Sequence, residues 1–297
     1  MKSKIESISH LLGGAAFAGA FLLLTCSASA LDVPAHNLFV ANWYYPGAIY
    51  EIAPGGIQST FYSGGLGEPE ALAFDREGNL FVADSSAGNV YEITPDGTKT
   101  TFASGMGPVN ALAFDCAGNL FVSDFTNGKI DEFTPEGSQS TFASGLYKPQ
   151  GLAFDEAGNL FVSDLSGNIY EYTPSGTRSV FASGVAAPFG LAFNRAGDLF
   201  VAYAGTGPGS GGVMKITPRG VKSTFATGLY DPNYLAFDRA GNLFVADDGS
   251  GNVIEFTPDG IESTVATGLG NATGLAFQGQ SLPVHECQRK TIEHGCK

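Results

Sequence analysis

GLAFDEAGNLFVSD, residues 151–164, reads as one β-hairpin, and near-copies of it recur along the chain. Leu152-Ala153-Phe154 and Leu160-Phe161-Val162 are short, continuously apolar runs. Between them, Asp155–Asn159 places Gly158 where a tight hairpin loop needs positive φ. Taking the Phe of each "AF" as a marker gives Phe74, Phe114, Phe154, Phe193, Phe237 and Phe277, at spacings of 40, 40, 39, 44 and 40. A fixed period of that length belongs to blades or solenoid turns, each too small to bury its own apolar face.

Each unit is expected to hold four short strands: GLAF (151–154), NLFVSD (159–164), NIYEY (168–172) and RSVFA (178–182). Pro174-Ser175-Gly176 turns the third strand into the fourth, as do Pro95-Asp96-Gly97 and Pro258-Asp259-Gly260 in other units. The first two strands are apolar throughout, as strands covered on both faces must be. The fourth, as in SQSTFA and KSTFA, is rich in Ser, Thr and Lys, which suits an exposed edge.

The ends decide between ring and spiral. Leu38–Val40 is an "LFV" strand with no "GLAF" before it, and Gly274–Phe277 is a "GLAF" with no "LFV" after it. The orphans complete each other in a closed ring, an arrangement that an open solenoid with capping ends cannot use. The expectation is all-β: a six-bladed β-propeller over residues 31–278, four antiparallel strands per blade. Residues 274–277 would join the N-terminal strands of blade one.

P-x-G-L-A-F-D-x-x-G-N-L-F-V-x-D followed by a third strand and T-P-x-G resembles the NHL repeat. It is also similar to propellers of the gluconolactonase, senescence-marker-protein and luciferin-regenerating-enzyme group. The resemblance spans nearly all of residues 37–278. It implies a fold more than an activity, because that architecture hosts hydrolases, lyases and plain binding modules.

Outside the repeats, Lys2 and Lys4, an apolar run from Leu11 to Leu24 and Ala28-Ser29-Ala30 read as a secretory signal over residues 1–30. An extracytoplasmic protein is expected, periplasmic or secreted. Leu23-Leu24-Thr25-Cys26 leaves a lipid anchor through Cys26 as a lesser alternative. No run after residue 30 is apolar for long enough to cross a bilayer. The chain carries 15 Lys+Arg against 29 Asp+Glu, a formal charge of −14. That balance repels a phosphate backbone and argues against nucleic-acid binding. A monomer is expected. In the tail, residues 279–297, Cys287 and Cys296 are a candidate short-loop disulfide. With His285 and His294 they would alternatively make a two-His, two-Cys zinc site. Cys116, where sister repeats carry Arg76, Glu156, Arg195 and Arg239, is expected to be an unpaired turn residue.

Strands alternate in direction, so the stereotyped D-x-x-G-N and T-P-x-G turns share one face. The loops between strands two and three, and between blades, share the other, and these vary from copy to copy. The variable face is the candidate ligand-binding face, with Trp43, Tyr44, Tyr45, Phe125, Tyr147, Phe189, Tyr203, Tyr230 and Tyr234 as its aromatic residues. Packing between blades is the alternative role for several of these rings. Blade five adds a longer loop, Ala204 to Gly212.

Two residues before the Leu of each "GLAF", at the expected channel mouth, stand Glu70, Asn110, Gln150, Phe189, Asn233 and Thr273. Glu70, Asn110, Gln150 and Asn233 are oxygen donors of the kind that hold Ca²⁺ or another hard divalent cation. Resemblance to the gluconolactonase group implies such an axial metal, with Glu70 matching the group's ligating Glu. Phe189 stands where that pattern has Asn, and Asn233 where it has a catalytic Asp; an amide cannot act as general base. Asp84, Asp124, Asp164 and Asp247, and the turn-opening Asp75, Asp115, Asp155 and Asp238, recur blade by blade and are assigned to capping backbone N–H groups. No His falls within the blades, so a His-based triad there has no base. Two readings follow: a non-catalytic module binding a small molecule, carbohydrate or protein on the variable face, or a metal-dependent lactonase or esterase with an axial cation near Glu70.

Overall fold

The computed structural model describes residues 36–279. The expected leader, residues 1–30, and residues 280–297 with the tail cysteines and histidines lie outside them. The described residues form 24 strands in six four-stranded sheets and no helix. Blade four runs, from the axis outward, through Pro149–Phe154, Leu160–Asp164, Asn168–Tyr172 and Arg178–Ser183. Blade one takes its innermost strand from the far end of the ring. Ala272–Phe277 pairs antiparallel with Leu38–Asn42, with Leu38 opposite Phe277 and Val40 opposite Leu275. The ring is therefore closed as expected.

Burial follows position in the blade. The second strands Leu80–Asp84, Leu120–Asp124, Leu160–Asp164 and Leu243–Asp247 are buried at every residue. Outer strands such as Gln139–Ser144 are exposed through their first three residues. The inner strands are slightly less buried than the second ones, because one side of each borders the axial opening.

The repeated phenylalanines join blade to blade. The second-strand Phe of each blade meets the inner-strand Phe of the next edge to face: Phe39–Phe74, Phe81–Phe114, Phe121–Phe154, Phe161–Phe193, Phe200–Phe237 and Phe244–Phe277. Centroids are 4.9 to 5.1 Å apart, and each pair is worth roughly 0.5–1.5 kcal/mol beyond its buried area. The last pair links blade six back to blade one.

The small residue before each inner-strand Leu has a packing cause. A Cβ on Gly151 would lie 2.4 Å from the Phe189 carbonyl oxygen, and one on Gly190 would lie 2.5 Å from that of Asn233. Blades two and three hold Ala71 and Ala111 at this place, and blade six holds Tyr234.

Both families of repeated aspartates cap backbone. Asp155 accepts from the Asn159 amide N–H at 2.8 Å and from its side chain at 2.9 Å. Buried Asp84 accepts from the Gly67 and Glu68 N–H groups at 2.8 and 3.1 Å. One expectation is corrected: Cys116 is disulfide-bonded. Its turn position in the repeat gave no sign of this, because the bond joins it to a residue outside the described part of the chain.

Candidate functional site

The mouth on the variable face is built by the ends of six inner strands. Glu70 and Asn110 belong to blades two and three, and Gln150 and Phe189 to blades four and five. Asn233 and Thr273 come from blade six and the closing strand. Three of the six are committed to the scaffold. Asn110 donates its amide N–H to Gln150 Oε1 at 2.9 Å. The buried Thr273 hydroxyl donates to the Pro69 carbonyl at 2.9 Å. Phe189 packs against the core between blades five and six.

Glu70 is different. Its carboxyl makes no hydrogen bond within the described residues, and its pKa is pushed up to about 8 by burial, then by the charges of Asp248 and Glu68. Asp248 is raised to about 6 by burial, against a lowering bond from Asn271, with Asp231 and Asp247 adding to the rise. Asp248 Oδ1 is buried without a hydrogen-bond partner. Burial and Asp247 also raise Asp231. The mouth thus collects three carboxyl groups whose charged forms are disfavoured by burial and by one another, Glu70 most of all, a penalty that an incoming cation would relieve.

Tyr234 does not sit on the ligand face. Its ring packs against the clusters between blades six and one, two and three, and three and four, which places it in the axial space. Its hydroxyl donates to the Asn110 carbonyl, and burial followed by Glu70 raises its pKa well above the usual tyrosine value. Tyr203 and Phe189 also pack into inter-blade cores, so the packing role holds for these three rings. The remaining candidates stay at the surface. Tyr44 is 66% exposed, Tyr45 77%, Tyr147 58% and Tyr230 53%. Trp43 is half-buried, its backbone N–H donating to the Asn271 carbonyl at 3.0 Å. Phe125 lies under the Lys148 ammonium, 5.2 Å from the ring centroid. The blade-five loop is pinned by the Ser210 N–H to the Gly207 carbonyl at 3.0 Å.

Asp248 and Asp231 were not singled out from the sequence, although a signal exists. The residue after each second-strand Asp or its equivalent is Trp43, Ser85, Phe125, Leu165, Ala204 and Asp248. In every copy its N–H donates to a carbonyl of the loop that leads into the inner strand of the same blade. Asp248 alone places an ionisable side chain there, and the departure is visible once the copies are aligned at that column.

The axial donors fit a divalent cation poorly. Glu70 is the one carboxylate in the inner ring, Gln150 Oε1 is occupied by Asn110, and Phe189 and Thr273 offer nothing. Among the described residues, no group of three or more His, Cys, Asp or Glu is placed to hold a metal ion.

No protein-family model matches the chain, and no curated protein matches its sequence. Solved structures do resemble it. A chain of a nidogen/laminin complex superposes with a TM-score of 0.74 at 21% identity, covering 83% of this chain and 99% of that one. A protein described as a gluconolactonase gives 0.58 at 18% identity, over 67% of this chain and 77% of that one. Virginiamycin B lyase from Staphylococcus aureus gives 0.55 at 14%, over 71% and 77%. At these identities the likeness is one of fold: a six-bladed propeller.

Proposed function

We propose that the chain is an exported, non-catalytic binding module whose variable face takes a cationic segment of a partner protein. The observation that carries this reading is the gathering of exposed Tyr44, Tyr45, Tyr147 and Tyr230 on the loops of one face. The other large exposed side chains, such as Ile57 and Val180, lie singly on outer edges. Exposed tyrosines supply contact area at little entropic cost. The carboxyls of Glu68, Glu70, Asp231 and Asp248 flank the Trp43–Tyr45 loop from the blades on either side, a pairing of acid and aromatic suited to Lys or Arg. The disulfide at Cys116 supports an oxidising compartment. A propeller whose solved structure is a complex of two proteins, nidogen and laminin, lends the choice of partner weight.

The test uses the lone tryptophan as reporter. Titrating a Lys/Arg-rich peptide is expected to change Trp43 fluorescence with an affinity that falls as salt rises. Tyr44→Ala with Asp248→Asn should abolish the change without lowering the melting temperature. A response to neutral oligosaccharides and none to the peptide overturns the choice of partner; unchanged affinity in the double variant overturns the choice of face.

The second reading, a lactonase-type hydrolase with an axial divalent cation, draws on the half-buried, unbonded carboxyl of Glu70. A cation there would displace the Glu70 proton and raise the melting temperature. No thermal shift with Ca²⁺, Mg²⁺, Mn²⁺ or Zn²⁺ removes it.

A further inference from the structure

Charge is distributed differently on the two faces of the ring. The face of the D-x-x-G-N turns carries a cavity of ≈ 2240 Å³, floored by Leu72, Leu112, Leu152 and Leu235. Its rim intersperses the signs: Arg76 stands between Asp75 and Glu77, and Arg239 follows Asp238. On the variable face the signs separate. The residue that precedes each inner strand reads, around the ring, Glu68, Pro108, Lys148, Ala187, Asp231 and Asn271. The two acids lead into blades two and six, on either side of blade one, where they act on Glu70 and Asp248. The one cation leads into blade four, which lies opposite blade one.

Lys148 is held in place, yet its ammonium is uncommitted. Its φ of 53° lies in the left-handed region directly before Pro149, where a residue with a side chain is uncommon. Ala187 makes the same bend in blade five at a φ of 35°, so the bend belongs to the loop and the ammonium is what blade four adds. The Tyr147 N–H donates to Asp164 Oδ2 at 3.0 Å, and the Leu165 N–H donates to the Tyr147 carbonyl at 3.0 Å, which fixes the loop. The ammonium stands 5.2 Å from the Phe125 ring centroid and 5.9 Å from that of Tyr147. These contacts steer it without using its N–H donors. Among the described residues no carboxylate pairs with it, whereas Lys129, the other lysine at the loops of this face, pairs with Asp131 at 2.9 Å.

We propose that Lys148 is a second anchor of the variable face and takes an Asp or Glu side chain of the bound segment. The segment then lies across the mouth in one direction, with its Lys or Arg beside Asp231 and Asp248. This rests on the binding reading above and adds the partner's polarity to it. A carboxylate on Lys148 meets an ammonium backed by two aromatic rings and stands away from the acidic half. A segment laid the other way sets its carboxylate against Glu68, Glu70, Asp231 and Asp248 and its cation against Lys148. Direction is therefore fixed by repulsion as well as by attraction.

Two peptides of equal length, each with a Lys-Arg pair at one end, test this on the full chain. One carries Asp-Glu at its far end and the other Asn-Gln, and Trp43 fluorescence reads binding. Salt at about 0.15 M screens the long-range field of the acidic chain, which on its own favours the Asn-Gln peptide. The Asp-Glu peptide is expected to bind roughly twofold to fivefold more tightly, the range of an exposed ion pair. Lys148→Met should erase that preference, Lys148→Arg should keep it, and Lys148→Glu should turn it into a preference for the Asn-Gln peptide. Lys148 is exposed, so all three variants should melt with the unaltered chain. Equal affinities in the unaltered chain, or a preference that survives in Lys148→Met, overturn the inference and leave the cationic-segment reading standing. Binding of neither peptide overturns both.

Discussion

The Tyr234 hydroxyl of blade six donates to the Asn110 backbone carbonyl of blade three, directly across the ring. One side chain thereby spans the axis and separates the acidic mouth on the variable face from the apolar cavity on the other. Neither Glu70, Asn110, Gln150 nor Asn233 lines that cavity. The two faces are two sites rather than the ends of one channel.

Removing the crossing should weaken the ring in two graded steps. Tyr234→Phe loses one hydrogen bond, about 1 kcal/mol. Tyr234→Ala also leaves a cavity in packing shared by five blades and should cost about 3–5 kcal/mol. Urea midpoints measure both, and equal, negligible losses would mean that the tyrosine is a passenger.

The Glu70 carboxyl should make stability depend on pH with a stated sign. Its pKa is raised from 4.5 to about 8 in the folded protein, so the native state holds a proton that the unfolded chain releases. The contribution is fully present below about pH 4.5 and is lost as pH rises through about 8. Asp248 has the same sign, but its window closes near 6. Melting temperature should therefore fall from about pH 4.5 to about pH 8, with Glu70 carrying the slope above about pH 6, and Glu70→Gln should flatten that part.

Loss of a loop cap should be costly in the blades that carry the second-strand aspartate. Asp84→Ala strips the acceptor from the Gly67 and Glu68 N–H groups and from the Ser86 hydroxyl. A loss of about 2–4 kcal/mol is expected, since each bond to a charged group is worth about 1.5–3 kcal/mol and the site is buried. Urea midpoints measure the loss.

Ring closure should be intolerant of volume at one glycine. A Cβ on Gly274 lies 2.9 Å from the Ala71 Cα and the Glu70 carbonyl, both backbone atoms. Gly274→Val is expected to destabilise by about 3 kcal/mol or more. Gly207→Ala, with open space around it, should be neutral.

The blades, their turns and the closing strand were legible because each rests on a local rule repeated in the chain. Gly158 in its turn, Phe154 at its period and the orphan strands at the two ends are such signals. The structural role of the repeated aspartates was legible for the same reason. Tyr234 was not, because its partners, the Asn110 carbonyl and the clusters of other blades, lie across the ring where no single repeat reaches. Asp248 acquires its character from burial beside Asp231 and Asp247, which come together through inter-blade loops. Cys116 looked like an ordinary turn residue because its partner lies far away in sequence.

Amide hydrogen exchange across residues 38–42 and 272–277 tests the closed ring most directly. The account predicts protection there equal to that of the inner strands Val109–Phe114 and Pro149–Phe154, because the four segments share one ladder geometry and one cooperative unit. Exchange at the rate of exposed loops in both terminal segments, with the other blades still protected, would show an open spiral and would contradict it.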